Sequence, residues 1–417
     1  QVNAVKNLID TTFIPDTGIN IILKILAPGV LLPATLAGTG PDVAINVGGG
    51  LPVNYALRGA IYDISQQEDF HKVTGICTAE NAAKGHCTQN NGNYSKDDYV
   101  KYDYPEYARF QYSSMIPYEL EGGYYALPNT SSFLVMFYRT DIFEENGWTV
   151  PKTWDDVKLL VTELQVSNLD FYLPFEDAGS IIYATLLYQM GGQFYRNDNK
   201  ESDFDSEVGM IAFENWCSYF TDYSFLLAAN FTNRFRTGEM PIGIASYELF
   251  NVLTVFAPDI MGKWTFAPLP GTYRADNTFN NSGVTSGTAV VVMEQAKDKD
   301  SSWEFLKWWT SSETQYSYAR ELESILGAAA RHNTANIEAF KLLPWSKAER
   351  EILLSQWGIT VGVPEVAGGY YVGRNLENAI RAVINNDANP RETFNDYIVL
   401  INSEITRKRK EFGLPVD

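Results

Sequence analysis

The sequence predicts an α/β protein built as two units, and three observations predict it. Its 417 residues exceed what one hydrophobic core of ordinary size organises. Short apolar strands run into glycine-rich or polar loops and then into helices, and this order repeats along the chain. An apolar share of 45% against 20% charged residues belongs to a folded globular chain.

The rhythm starts at the first residues. Val2, Val5, Leu8 and Ile9 fall on one helical stripe, Ile19, Ile21, Leu23 and Ile25 alternate as a strand does, and a helical piece follows over 31–36. Gly40 and Pro41 punctuate, Asp42 to Ile45 reads as a short buried strand, and Gly48 to Gly50 form a loop at its end. This order predicts parallel strands, whose ligands sit beyond the strand C-termini, so Asn46 and Gly48 become candidate contacts. Residues 71–112 are polar, tyrosine-rich and aperiodic, and read as an insertion with a helix near Pro105 to Phe110.

Order returns at Phe133 to Tyr138, a nearly continuous buried strand, followed by a short helix from Asp141 to Asn146 that Gly147 ends. Thr153 with Asp156 three residues on has the form of a capped helix start. Residues 171–192 read as strand, loop and apolar helix, and Val208, Ile211, Trp216 and Phe220 mark the next helical face. A strand then ends near Ser246, extended segments include 263–271 and 287–293, and Trp303, Trp308 and Trp309 belong to an amphipathic helix that explains them as core. Trp264 likewise reads as core. Leu376, Ala379, Ile380, Val383 and Ile384 share one face, and a long helix closes the chain, with Arg407 to Lys410 as its solvated end.

Charge and composition remove several functions. A net charge of −19, from 32 basic and 51 acidic residues, repels phosphate backbones and gives no support to nucleic-acid binding. No run approaches the roughly 18 apolar residues of a membrane span. Gln1 is an unusual first residue, consistent with an export signal or a membrane attachment removed by processing, so a cytoplasmic location does not follow. Three cysteines (77, 87, 217) and three histidines (71, 86, 332) match no strong ligand spacing. A surface insertion with a Cys77–Cys87 disulfide is open there, with a zinc site as the lesser reading.

Catalytic motifs are missing as well. The chain has no G-x-S-x-G elbow, no G-x-G-x-x-G fingerprint and no Walker loop. A glycoside hydrolase needs two carboxylates about 5 to 9 Å apart; Asp42, Glu176, Asp177, Glu248 and Glu365 are available, each also explained as a cap or a solvated carboxylate. Binding asks for less. The 25 tyrosines and 9 tryptophans exceed what two cores need, and sugars want aromatic platforms beside short polar groups. Loop ends supply Asn46 and Gly48; Asn129, Thr130, Ser131 and Ser132; Glu176 and Asp177; Ser246 and Tyr247; and Tyr370, Tyr371 and Arg374. In VPEVAGGYYVGR, Val363 to Arg374, the glycines permit a tight turn, and the two tyrosines face different ways, one toward a ligand and one under the loop.

The segments GTGPDVAI, YYALP with VMFYRTDIFEENGWTVPKTWDDV, LLYQMGG, RFRTGEMPIGIASY, SSWEFLKWWTSSETQ and PEVAGGYYVGRNLENAIRAVINNDANPRETF occur in this order over nearly the whole chain. Together they resemble the extracellular solute-binding proteins of family 1, the sugar-binding components of bacterial ABC importers. The resemblance implies a two-lobed periplasmic-binding-protein-like fold of type II, with hinge strands and an interlobe cleft that closes on a carbohydrate. Residues 1–138 would form the first lobe and 139–285 mostly the second; 286–330 would return between lobes, and 331–417 would belong to the second lobe and hinge side, with 363–374 as a cleft loop.

The implied activity is non-enzymatic. A monomer, without cofactor or metal, captures an oligosaccharide and delivers it to the permease subunits of an ABC transporter, lipid-anchored or tethered on the extracellular face or free in the periplasm. Asn46 and Gly48 then match first-lobe contacts. Thr130 and Ser132 match positions before a strand where maltose-binding relatives hold a backbone contact and a carboxylate; serine at 132 departs from that pattern. Tyr247 matches a sugar-stacking tryptophan, and Tyr371 lies near another aromatic contact. A second departure is the start, where relatives place a strand before the first helix. A glycosidase and a surface glycan-binding module are the alternatives.

Overall fold

A computed structural model of the chain describes residues 1–27, 29–89, 102–176 and 179–416. These divide into two compact units, the first from 1–132 and 286–345, the second from 133–285 and 346–417. The chain therefore passes between units three times. Residues 133–138, expected in the first lobe, belong to the second unit, and 331–345, expected with the second lobe, belong to the first.

The first unit is built on a three-stranded sheet in which Thr288–Val292 lies between Val43–Gly48 and Leu127–Pro128. Both pairings are antiparallel, against the parallel order the sequence predicts. The cause is topological: the partner of Val43–Gly48 is not the next strand in sequence but one that returns after the excursion through the second unit. The helix Val2–Leu8 continues through a widened turn, Ile9–Phe13, and ends at Gly18, whose φ of 71° closes it in the left-handed region. Val5, Leu8, Ile9 and Phe13 are buried, and Phe13 meets Phe305 edge-on, 5.4 Å between centroids. Trp303 and Trp309 are buried in the same core, as their amphipathic spacing predicts.

The expected strand at Ile19–Ile25 does not form. Ile19, Ile21 and Leu23 do lean on the core, but Ile25, expected on the same face, is exposed like Ile22, so the alternation holds only as far as Leu23. What is missing is a ladder partner among the described residues, and alternation alone cannot supply one. Within the insertion, Cys77 and Cys87 form a disulfide. The helix expected near Pro105 to Phe110 is a single 3₁₀ turn, Pro105–Tyr107, and residues 90–101 lie outside the described ones. No group of three metal-ligating side chains occurs among the described residues.

The second unit carries a larger sheet in the order Trp264–Ala267, Ser132–Arg139, Ile242–Ser246, Phe171–Tyr172, with Thr285–Ser286 also pairing to the central strand. Phe171–Tyr172 pairs with Ile242–Ser246 in parallel; the two pairings of Ser132–Arg139 with Trp264–Ala267 and Ile242–Ser246 are antiparallel. The helix Trp154–Val166 starts on the predicted capping box: Thr153 Oγ1 accepts from the Asp156 N–H at 3.0 Å, and the Asp156 carboxylate accepts from the Thr153 N–H at 2.9 Å.

Helices Gly179–Gln189, Glu207–Thr221, Tyr370–Asn386 and Pro390–Glu411 enclose the core, where Phe213 stacks on Phe394 with centroids 4.0 Å apart. The buried face of Glu207–Thr221 is rotated from the expected one: Met210, Phe213 and Cys217 join Trp216 and Phe220, while Val208 and Ile211 are half-buried. At the chain's end, Arg409 is not solvated as expected but buried, its Nε donating to the Pro415 carbonyl at 2.6 Å.

Candidate ligand-binding site

In the first unit the candidate residues converge at the end of Val43–Gly48. Asn46 interrupts that strand with φ of 61°, a left-handed conformation that asparagine tolerates better than most residues, and the register shifts between Ala44 and Val47 as in a β-bulge. The bulge leaves Asn46 exposed. Behind it, Asn129 is only 1% exposed and its amide is fully assigned: Nδ2 donates to Asn46 Oδ1 at 2.6 Å and to Thr288 Oγ1 at 3.1 Å, and Oδ1 accepts from the indole Nε1–H of Trp309 at 2.8 Å. Trp309 can only donate, so it fixes which end of the Asn129 amide carries oxygen.

Backbone contacts reinforce this arrangement. The Asn129 and Thr130 N–H groups both donate to the Thr288 carbonyl, at 2.8 and 3.2 Å, and the Thr288 N–H donates to Thr130 Oγ1 at 2.9 Å. A Cβ at Gly287 would stand 2.0 Å from the Thr130 carbonyl oxygen, so only glycine fits there. Gln315 forms a further layer, donating to the Trp309 carbonyl at 2.8 Å and accepting from Thr334 Oγ1 at 2.7 Å. His332, 3.0 Å from Gln315 Oε1, is buried, and burial pushes its pKa down to about 4, so the ring stays neutral near neutral pH.

Asn129 is therefore the buried support of this face, and Asn46 is its exposed group. Thr130, Ser132 and Gly48 are half-buried around them. Thr288 belongs to the cluster although the sequence reading placed it in an ordinary apolar strand; its hydroxyl in TAVVV was the one available signal.

In the second unit Tyr247 departs most from expectation. It is 2% exposed, its ring stacked on Phe133 with centroids 4.6 Å apart, and Phe133 stacks in turn on Trp357 at 6.0 Å. Burial drives its hydroxyl pKa well above the ordinary value. A ring enclosed in this way is core and not an open platform. Ser246, half-buried, ends the strand opposite Leu134.

The turn before Tyr370–Asn386 behaves differently. Tyr370 is 49% exposed, Tyr371 half-buried and Arg374 exposed, with the two tyrosine rings at 69° to each other. Gly373 faces the Ser180 side chain across the start of Gly179–Gln189, the helix that follows the Glu176 loop. The Arg381 guanidinium lies 4.7 Å over the Phe175 ring and holds that loop's other flank. Glu176 is exposed; Asp177 lies outside the described residues. Glu365 sits beneath Gly369, where a Cβ would stand 2.3 Å from its Oε1. Desolvation pushes its pKa up to about 7.

The remaining carboxylates of the glycosidase reading occupy unrelated settings. Asp42 stands in the first unit, accepting from the Lys297 N–H at 3.3 Å, and Glu248 is the residue before the helix Leu249–Phe256.

Both α/β units carry polar and aromatic residues at strand and helix ends, the composition of a ligand-binding protein. Residues 86–316, more than half of the chain, match the model of the bacterial extracellular solute-binding proteins, and the chain belongs to that family. It is accordingly a binding protein and not an enzyme. Among solved structures it is similar to the sugar-binding protein MalE from Xanthomonas citri, with 15% identity over 99% of this chain and 97% of that one and a TM-score of 0.75. A cyclic alpha-maltosyl-1,6-maltose binding protein from Arthrobacter globiformis gives 15% identity, 97% and 95% coverage and a TM-score of 0.71. An ABC transporter solute-binding protein from Thermotoga lettingae, bound with alpha-D-tagatose, gives 17%, 97% and 96%, and 0.68. At these identities the likenesses establish the fold. No curated protein matches the chain.

Proposed function

We propose that this protein captures a carbohydrate, an oligosaccharide, outside the cytoplasm and delivers it as a monomer to the permease subunits of an ABC importer. The observation that carries the reading is the locked amide of Asn46: a buried Asn129, fixed by Trp309 and Thr288, prepares one exposed hydrogen-bonding group before any ligand arrives. Such preorganisation suits a ligand of many hydroxyls, because each contact is worth only about 1 kcal/mol and little can be lost to ordering. On the second unit, taken by itself, Tyr370, Tyr371 and Arg374 at the start of Tyr370–Asn386 are the proposed contacts. Ring stacking there contributes about 1 kcal/mol per platform.

Further support comes from two directions. Similar folds are described as sugar-binding, as binding cyclic alpha-maltosyl-1,6-maltose, and as bound with alpha-D-tagatose. The Cys77–Cys87 disulfide fits an oxidising compartment, the extracellular face or the periplasm. No described helix is long and apolar enough to cross a membrane.

The contacts proposed for the sugar are Asn46, Gly48, Thr130 and Ser132 on the first unit, supported by Asn129. On the second they are Glu176, Asp177, Ser246, Tyr370, Tyr371 and Arg374. Native mass spectrometry of the protein mixed with an oligosaccharide library tests this. Retention of an intact hexose oligomer is expected; retention only of peptides or polyamines from parallel mixtures overturns it.

A further inference from the structure

We infer that Glu404, on the C-terminal helix Pro390–Glu411, is a positioning residue for the ligand: it holds Tyr370 so that the face of the ring, and not its hydroxyl, meets the sugar. This rests on the carbohydrate reading above and deepens it. The Tyr370 hydroxyl donates to Glu404 Oε1, while the residue as a whole remains 49% exposed. Glu404 is itself held by a two-pronged grip from Arg407, whose Nε and Nη2 each donate at 2.7 Å. Its side chain is 14% exposed, so this anchor is mostly enclosed where the residue it holds is open.

The turn that delivers Tyr370 is seated on the same helix. Gly368 has φ of 90°, and a Cβ there would lie 3.2 Å from both the Glu404 carbonyl oxygen and Ile405 Cα, so the backbone rests flat against the C-terminal helix. Three constraints then act on one ring: a glycine turn with no room for a side chain, a hydroxyl bond, and a carboxylate fixed by a guanidinium. A hydrogen bond to an ionised carboxylate is among the stronger ones. Arg407 pulls the Glu404 pKa down to about 2, which keeps that acceptor charged, and the charge raises the pKa of the Tyr370 hydroxyl. Arg407, which also pairs with Glu411, acts on the phenol together with Glu404, Lys408 acts on Glu404, and Tyr371 stands edge-on to Tyr370.

The chemical consequence concerns the ligand. With its donor committed to Glu404, Tyr370 offers a flat aromatic face, which suits the C–H face of a pyranose ring. A tyrosine left free on the first turn of a helix would have to lose rotamer freedom on binding; here that ordering is already done.

The test titrates wild type, Tyr370→Phe, Glu404→Ala, Glu404→Gln and the double variant Tyr370→Phe/Glu404→Ala with maltotriose, cellotriose, xylotriose and mannotriose by calorimetry. Wild type is expected to bind at least one. Tyr370→Phe and Glu404→Ala should each weaken that sugar about three- to tenfold, the double variant no more than either alone, and Glu404→Gln, which keeps an acceptor oxygen, should recover most of the loss. Ultraviolet titration without ligand should show one tyrosine ionising at lower pH in Glu404→Ala, a change absent in the Tyr370→Phe background. Additive losses, or unchanged affinity in Glu404→Ala, overturn the positioning role. Silence of wild type toward all four sugars overturns the carbohydrate reading and this inference with it, and is told apart because the tyrosine shift would persist.

Discussion

Asn129 Nδ2 donates to Asn46 Oδ1 at 2.6 Å, joining a side chain that is 1% exposed to one held in the open by a β-bulge. The pair separates two roles that sequence reading had merged, contact and support. Asn129→Ala should weaken sugar binding about tenfold and also lower stability by about 1–3 kcal/mol, because Trp309 Nε1 loses its acceptor in a buried site. Calorimetry and denaturant unfolding of the same preparation check both.

Asn46 should behave otherwise. Glycine accepts its left-handed backbone, so Asn46→Gly should keep the bulge, lose about 1 kcal/mol of stability with the bond from Asn129 Nδ2, and bind sugar about fivefold more weakly. Asn46→Ala should lose the same affinity and about 1 kcal/mol more stability than Asn46→Gly. Equal affinity in wild type and Asn46→Gly would remove Asn46 from the site.

The aromatic residues divide in the same way. Tyr371→Ala should weaken glycan binding at least tenfold with little loss of fold, whereas Tyr247→Ala, which empties a stack with Phe133 and Trp357, should cost about 3–5 kcal/mol of stability. Thermal melts beside titrations distinguish the two outcomes.

Two desolvated groups, the half-buried Glu365 and the buried His332, predict opposite pH dependences. Glu365 keeps its proton in the folded state from an ordinary 4.5 up to about 7, so the second unit loses stability as pH rises through that window and levels off above it. His332 refuses a proton from 6.5 down to about 4, so the first unit loses stability as pH falls through that window. Each effect is at most about 3 kcal/mol. Glu365→Gln and His332→Gln should each remove one slope, read as unfolding free energy against pH from 4 to 8.

What could be read from the sequence was what is local. The capping box at Thr153 and Asp156, the Gly147 helix stop and the apolar face of 376–383 depend on neighbours three or four residues away, and all three are found. Strand partners are not local. Ile19, Ile21 and Leu23 alternate toward the core, Ile25 does not, and the segment has no ladder partner among the described residues; the direction of the Val43–Gly48 pairing depends on residues near 290.

The site shows the same division. Asn46 and Tyr370 stand out as polar or aromatic residues at the ends of periodic segments. Thr288 was hidden inside an apolar run, and Trp309 was rightly read as core while its single N–H sets Asn129. Tyr247 looked like a platform because neither Phe133 nor Trp357, which enclose it, is near it in sequence. Glu404 lies 34 residues from Tyr370, and only the packing of two helices brings them together.

The most direct measurement is a calorimetric titration of the wild-type protein with a panel of neutral oligosaccharides, with the mixture analysed afterwards by chromatography. Saturable 1:1 binding of at least one oligosaccharide, recovered uncleaved, is the predicted result. Heat only with peptides or polyamines, or no heat with any sugar, would contradict the account.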